Sequence, residues 1–355
     1  MTDTMNRREF IGGAVAASVL PTFAAESNRD LIWATFQPFG RNMWSDVPVP
    51  YWGRNKGDTP ENRKALSGVV AADHLRFEEE AWRRIADKMV ASGVTMAVMD
   101  VGEALAYPSH PELHVKGSWA PERVRAEVER CRKLGLELIP KLNFSTGHDI
   151  WLKDYHRMVS TPTYYRVCAD VLKDVWEAFD HPRLIHLGYD EEDAGNQSLY
   201  GYCVVRQGDL WWHDFLYISG LVEKLGARPW IWSDYCWYHQ EDFLKRMPKS
   251  VLQSNWYYGR EFDLSKITND NTRRRVSSYS VLAKAGFDQM PCGSTHANDE
   301  NFPNTVRHCR DLISPEHLKG FLMAPWCGAT VAKNVPAYSH AADIIAAAMK
   351  VWREG

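Results

Sequence analysis

The sequence predicts an α/β protein, a single-domain (β/α)8 TIM barrel, and three observations lead there. Short apolar segments alternate with amphipathic ones eight times along the 355 residues, the rhythm of parallel strands joined by helical crossovers. The amphipathic segments repeat their apolar residues at helical spacing, with Gly and Pro punctuating their ends. No Gly-x-Gly-x-x-Gly follows the first strand, so an open dinucleotide-binding sheet has no support.

Residues 1–25 read as a targeting segment outside the fold. Asn6-Arg7-Arg8-Glu9-Phe10-Ile11 has the twin-arginine pattern, the apolar stretch Gly12 to Leu20 follows, and Ala24 and Ala25 offer a cleavage point. That stretch is too short to cross a bilayer as a helix. The expectation is a twin-arginine signal peptide over 1–25 and a catalytic barrel over 26–355. It implies passage through the twin-arginine export machinery, a periplasmic or secreted product, and no stable membrane insertion after cleavage.

The barrel elements follow in order. Leu31 to Phe36 is the first strand, and a Pro-, Gly- and Trp-rich excursion runs from Pro38 to about Asp73. A helix from about Phe77 to Ala91 ends at Gly93, and Val94 to Val101 is the second strand. Pro121 opens the next helix, which ends near Gly135, and Leu136 to Phe144 is strand three. Pro162 to Phe179 is helical and leads to strand four, Leu184 to Tyr189. The second half repeats the rhythm, with strands at Arg228 to Ser233, Val251 to Trp256, Phe287 to Cys292 and Leu318 to Ala324. Its helices are Leu210 to Leu225, Glu241 to Arg246, Thr272 to Ala285, Asn304 to Ile313 and His340 to Trp352.

Composition narrows the partners. The net charge is −3, and Lys and Arg are spread along the chain, so the basic stripe that nucleic acid needs is missing. Seven Cys occur without Cys-x-x-Cys spacing, which argues against a structural zinc site; no metal or cofactor is expected. Fifteen Trp and fifteen Tyr are the outlier. Several fall at strand ends, where flat apolar faces suit sugar rings.

In such barrels the chemistry sits on the loops after the strands. Those positions carry Gln37, Arg41 and Trp44 after strand one, Asp100 and Glu103 after strand two, and Asn143, His148 and Asp149 after strand three. Strand four ends in Asp190, Glu191 and Glu192, three carboxylates that cannot be buried without partners. Trp232, Asp234 and Trp237 follow strand five, and Asn255, Trp256, Tyr257 and Tyr258 follow strand six. Ser294, His296, Asn298 and Asp299 follow strand seven, and Trp326 follows strand eight. Acids, amides and indoles on one rim suit an uncharged, polyhydroxylated carbohydrate.

His186-Leu187-Gly188-Tyr189-Asp190-Glu191 resembles the His-x-Gly-Gly-Asp-Glu signature of the family 20 glycoside hydrolases, the β-N-acetylhexosaminidases. Leu138 to His148 resembles that family's Ile-Pro-Glu…Pro-Gly-His segment, Pro229 to Asp234 its strand-five Trp-x-Asp region, and Gln253 to Trp256 its strand-six Trp. The resemblance implies a glycoside hydrolase that removes a terminal sugar, pointing to a β-linked 2-acetamido sugar. Asp190 would orient the acetamido group, which itself attacks the anomeric carbon, and Glu191 would be the general acid/base. His148 would support the acid, and Arg41 would hold sugar hydroxyls. Asn143, Trp232, Asp234, Asn255, Trp256, Tyr257 and Trp326 complete the expected substrate-binding set.

The chain departs from the family at three points. Tyr189 replaces the second Gly and is expected to set a bulky ring beside the catalytic pair. Gly293 to Asp299 contains no Tyr where the family has one after strand seven. Trp326-Cys327-Gly328 lacks the family's carboxylate after strand eight; the separate α/β domain that usually precedes the family's barrel is not expected here. The chain therefore reads as a divergent relative. Two other readings compete: a glycan-binding barrel without catalysis, and a metal-dependent sugar isomerase or lyase on the same fold.

Overall fold

Eight short strands, each flanked by a helix, run parallel around a common axis among the residues that the computed structural model describes, 31–44, 70–193 and 204–354. The strands are β1 (Ile32–Pro38), β2 (Met96–Asp100), β3 (Glu137–Lys141), β4 (Leu184–His186), β5 (Arg228–Trp232), β6 (Leu252–Ser254), β7 (Cys292–Gly293) and β8 (Gly320–Met323). The intervening helices are α1 (Glu79–Ala91), α2 (Pro121–Lys133), α3 (Pro162–Ala178), α4 (Gly208–Lys224), α5 (Gln240–Arg246), α6 (Asp270–Lys284), α7 (Asn301–Leu312) and α8 (Val335–Arg353). The expected signal peptide and most of the excursion after β1 lie outside the described residues.

Strand order is β6-β5-β4-β3-β2-β1-β8-β7. Between β6 and β7 the ring is joined by the isolated bridges Gln253↔Gln289 and Trp256↔Cys292, with Met290 N donating to Gln253 O at 2.8 Å and Cys292 N to Asn255 O at 2.9 Å. Strand pleating sorts side chains into two cores. Ala34, Phe36, Val98, Ile139, Trp230 and Leu322 fill the barrel interior. A larger cluster lies between strands and helices; α1, for example, turns Ala81, Trp82, Ile85, Ala86 and Met89 inward at helical spacing. Thr161 caps α3 by accepting the Tyr164 N–H ahead of Pro162, and Asn269 caps α6 by accepting the Thr272 N–H.

All the strands except β1 are shorter than the sequence predicts, and two of them have an identifiable cause. β4 ends at His186 instead of running to Tyr189 because Gly188 and Tyr189 adopt left-handed backbone, φ 74° and 67°. The expected strand Phe287 to Cys292 reduces to Cys292–Gly293; Pro291 has no N–H for the ladder, and Gln289 pairs through bridges to Gln253 and Leu318.

Candidate active site

The turn after β4 is built by its neighbours. At Gly188 the Asn143 side-chain oxygen lies 2.0 Å from where a Cβ would stand, so only Gly fits. Asn143 Nδ2 donates to Asp190 Oδ1 at 2.8 Å, and Ser145 Oγ donates to the Asp190 carbonyl at 2.6 Å. Glu191, also left-handed at φ 57°, donates its N–H to Asp234 Oδ2 at 2.7 Å. Left-handed backbone costs a non-Gly residue about 1–2 kcal/mol, and these bonds hold the chain there. Asp190 is consequently recessed, with 15% of its side chain exposed, while Glu191 at 37% reaches into the opening.

His148 sits between the two acids, its Nε2 at 3.4 Å from Asp190 Oδ2 and 3.2 Å from Glu191 Oε2. Burial opposes a charge on the imidazole, but Asp190 and Glu191 together outweigh it and push its pKa up to about 9. Asp234 moves the other way from an ordinary acid. Its burial, then the charge of Asp190, pushes its carboxyl up to about 8, against the N–H donors of Glu191 and Trp256.

Glu192 turns inward, away from the other two acids. Its Oε1 accepts the Thr146 N–H at 2.8 Å and Arg206 Nη2 at 2.8 Å. Arg206, fully buried, also donates to Asp214 Oδ2 at 3.1 Å and to the Phe144 carbonyl at 2.9 Å. Tyr189 belongs to this layer. Its ring is fully buried, lies 5.1 Å from the Arg206 guanidinium and meets Trp211 and Phe215 edge-on. The expectation that Tyr189 crowds the catalytic pair is therefore corrected: the left-handed turn sends its ring outward beneath α4.

The remaining expected residues divide into two groups. Trp256 donates its indole N–H to Asp234 Oδ1 at 3.2 Å and stacks on Tyr258 at 5.1 Å. The Tyr258 hydroxyl is hydrogen-bonded to Trp326 and to the Cys292 thiol, and Trp326 packs on Phe36 at 4.9 Å. On the other side, the Arg41 guanidinium lies 4.4 Å over Trp44, which meets His148 edge-on at 6.4 Å. Arg41, Asn143, His148, Asp190, Glu191, Asp234, Trp256 and Trp326 thus share one rim through an unbroken series of contacts. Burial lowers the pKa of Arg41, and among the described residues its buried Nη1 has no hydrogen-bond acceptor.

Trp232, Asn255 and Tyr257 sit differently. Trp232 lies deeper in the barrel, 4.7 Å from His186, with its indole N–H buried and unpartnered among the described residues. Asn255 uses its amide on the scaffold, accepting Trp237 Nε1 and donating to the Arg275 carbonyl, both at 2.8 Å. Tyr257 packs outward on Phe262 at 5.2 Å; the next residue, Tyr258, faces the barrel instead, as strand alternation requires.

Two acids from the β2 loop have structural partners. Asp100 pairs with Lys141 at 2.8 Å inside the barrel end. Glu103 accepts the Arg41 and Asn42 N–H groups at 2.7 and 3.0 Å and so fixes the β1 loop. Sequence reasoning missed the parts played by Ser145, Arg206 and Arg275. The first lies inside the β3 motif, but Arg206 and Arg275 sit in or beside helices with no local pattern that marks them. Among the described residues no three His, Cys, Asp or Glu side chains are grouped as metal ligands.

No protein-family model and no curated protein matches the sequence. The fold matches solved structures of family 20 glycoside hydrolases. A crystal structure of a β-N-acetylhexosaminidase is 13% identical at a TM-score of 0.58, over 91% of this chain and 74% of that one. The family 20 β-N-acetylhexosaminidase from Streptomyces coelicolor A3(2) is 12% identical at 0.54, over 87% and 64%. Dispersin B is 12% identical at 0.51, over 88% of this chain and 98% of its own. At these identities the likeness is one of fold.

Proposed function

We propose that this protein is a glycoside hydrolase that removes a terminal, β-linked 2-acetamido sugar. The observation that carries the reading is the pairing at the β4 end: a recessed Asp190 held by Asn143, an accessible Glu191, and His148 between them. Related barrels described as β-N-acetylhexosaminidases support it.

Glu191 gives its proton to the glycosidic oxygen as the bond from the anomeric carbon to that oxygen breaks. The substrate's acetamido oxygen closes onto the anomeric carbon, with Asp190 orienting the amide and balancing the charge that develops on it. Water then adds at the same carbon as its bond to the acetamido oxygen breaks, and gives a proton back to Glu191. Arg41, whose buried Nη1 has no hydrogen-bond acceptor among the described residues, takes sugar hydroxyls, and Trp326 offers an apolar face. Asp234 is favoured as a positioning group over a nucleophile, because both its oxygens already accept N–H groups. Export by the twin-arginine route remains part of the proposal and rests on the Arg7-Arg8 segment alone.

A screen of chromogenic glycosides with and without a 2-acetamido group, run on wild type and Glu191→Gln, tests the reading. Hydrolysis of the acetamido substrates, lost in the variant, is expected. Hydrolysis of plain glycosides only would refute substrate assistance, and glycan binding without turnover would move the protein to the glycan-binding class.

A further inference from the structure

A cleft opens beside Glu191 on the β5–β6 side of the rim. It is lined by Glu191, Asp193, Asp234, Trp237, Trp256 and Arg275 of α6. The Arg275 guanidinium lies over both indoles, 4.7 Å from Trp237 and 5.0 Å from Trp256. Asn255 fixes this arrangement, since one side-chain amide binds the Arg275 carbonyl and the Trp237 indole N–H together. Arg274, on the same turn, stands 5.3 Å over the exposed Tyr238 ring at the lip.

Arg275 differs from most of the buried or half-buried cations of this chain. Arg206 holds Glu192 and Asp214, Arg228 holds Asp288, and Lys141 holds Asp100. Among the described residues the Arg275 guanidinium has neither a carboxylate nor a hydrogen-bond acceptor, and its Nε is buried. The two indoles, 4.5 Å apart, shield one side of the guanidinium from water and leave its donor edge for a ligand. A planar fork of N–H donors meets carboxylates and sulfates bidentately and far more strongly than it meets hydroxyls.

We infer that this cleft is a leaving-group subsite for a saccharide bearing one anionic group, with Arg275 as the residue that selects it. The inference rests on Glu191 as proton donor, because the cleft lies where the departing sugar would sit. The positions of the two groups set the orientation: the glycosidic oxygen faces Glu191 and the anion reaches Arg275. Asp234 is held largely neutral near pH 7 by burial and by Asp190; Asp193 also lines the cleft, so the anion belongs at its Arg275 end.

The test uses disaccharides that share a cleavable non-reducing sugar and differ in the reducing one: a neutral hexose, a hexuronic acid and a sulfated hexose. Wild type is expected to favour the anionic substrates in kcat/KM. Arg275→Met, which keeps a stem on the indoles, lowers the anionic-to-neutral ratio by about ten- to a hundredfold, and Arg275→Lys restores part of it. The preferred anion, carboxylate or sulfate, names the ligand. A ratio near one in wild type, or a ratio unchanged in both variants, overturns the subsite. Binding to Glu191→Gln, read by tryptophan fluorescence, separates this from the catalytic reading. Arg275-dependent binding of the anionic sugar without wild-type turnover upholds an anion-selecting sugar site at Arg275 but refutes both its leaving-group role and the hydrolase.

Discussion

Asp234→Asn probes the carboxyl that ties the β4, β5 and β6 ends together. In the folded protein that carboxyl titrates at about 8, against 3.8 for an ordinary Asp. Between those limits the folded state holds a proton that the unfolded chain has released, so stability is complete below about pH 4 and is lost as pH rises to about 8. At about 1.4 kcal/mol per pH unit the whole span amounts to about 6 kcal/mol, an upper limit for a group coupled to Asp190. Asn keeps the shape of the neutral acid and one acceptor for Glu191 N or Trp256 Nε1. The variant should therefore match wild type within about 1 kcal/mol near pH 4. Near pH 8.5 it should exceed wild type by several kcal/mol. Urea-denaturation midpoints for both proteins from pH 4 to 9 make the measurement, and the difference isolates Asp234 from other buried acids such as Glu103 and Glu192. Parallel profiles across that range would show that Asp234 is ionised throughout, and the reasoning would fail.

Three further outcomes are expected. Arg206→Met leaves Glu192 and Asp214 buried without their cation, so unfolding free energy should fall by about 3–5 kcal/mol; adding Glu192→Gln and Asp214→Asn should recover much of it in the same denaturation assay. His148→Ala should lower kcat by about ten- to a hundredfold. It should also erase an alkaline activity limb near pH 9, where the wild-type imidazolium gives up its proton; a limb that persists assigns it elsewhere. Tyr189→Gly relieves about 1 kcal/mol of left-handed strain but empties the space under Arg206 and Trp211, and calorimetry should record a net loss of about 2–4 kcal/mol.

Much of the barrel was legible because its signals are local. Helical spacing in segments such as Glu79–Ala91, Pro at Pro121 and Pro162, and the apolar run before Asp190 each act over a few residues. The rim residues Asp190, Glu191, Asn143 and His148 could be found because they lie at strand ends in recognisable segments. What failed depends on backbone handedness and on distant partners. Tyr189 points outward because two successive left-handed residues reverse the strand's alternation, which no propensity encodes. Tyr257 and Tyr258 exchange roles on a difference of one residue in register. Glu192 and Arg206 are 14 residues apart and meet through a buried ion pair that no local pattern marks.

The thin junction between β6 and β7 gives the rim two mechanical halves. Asp190 and Glu191 stand over β4, which pairs with β5 through three residues, and are tied below by Arg206. Trp256 bridges directly to Cys292 across the junction, and the strand there is two residues long. Local opening takes least free energy where few backbone bonds must break. Amide exchange should therefore run faster through 253–258 and 289–293 than through 184–191. The wall over β4 and β5 is then expected to hold its geometry while the wall at the β6–β7 junction opens.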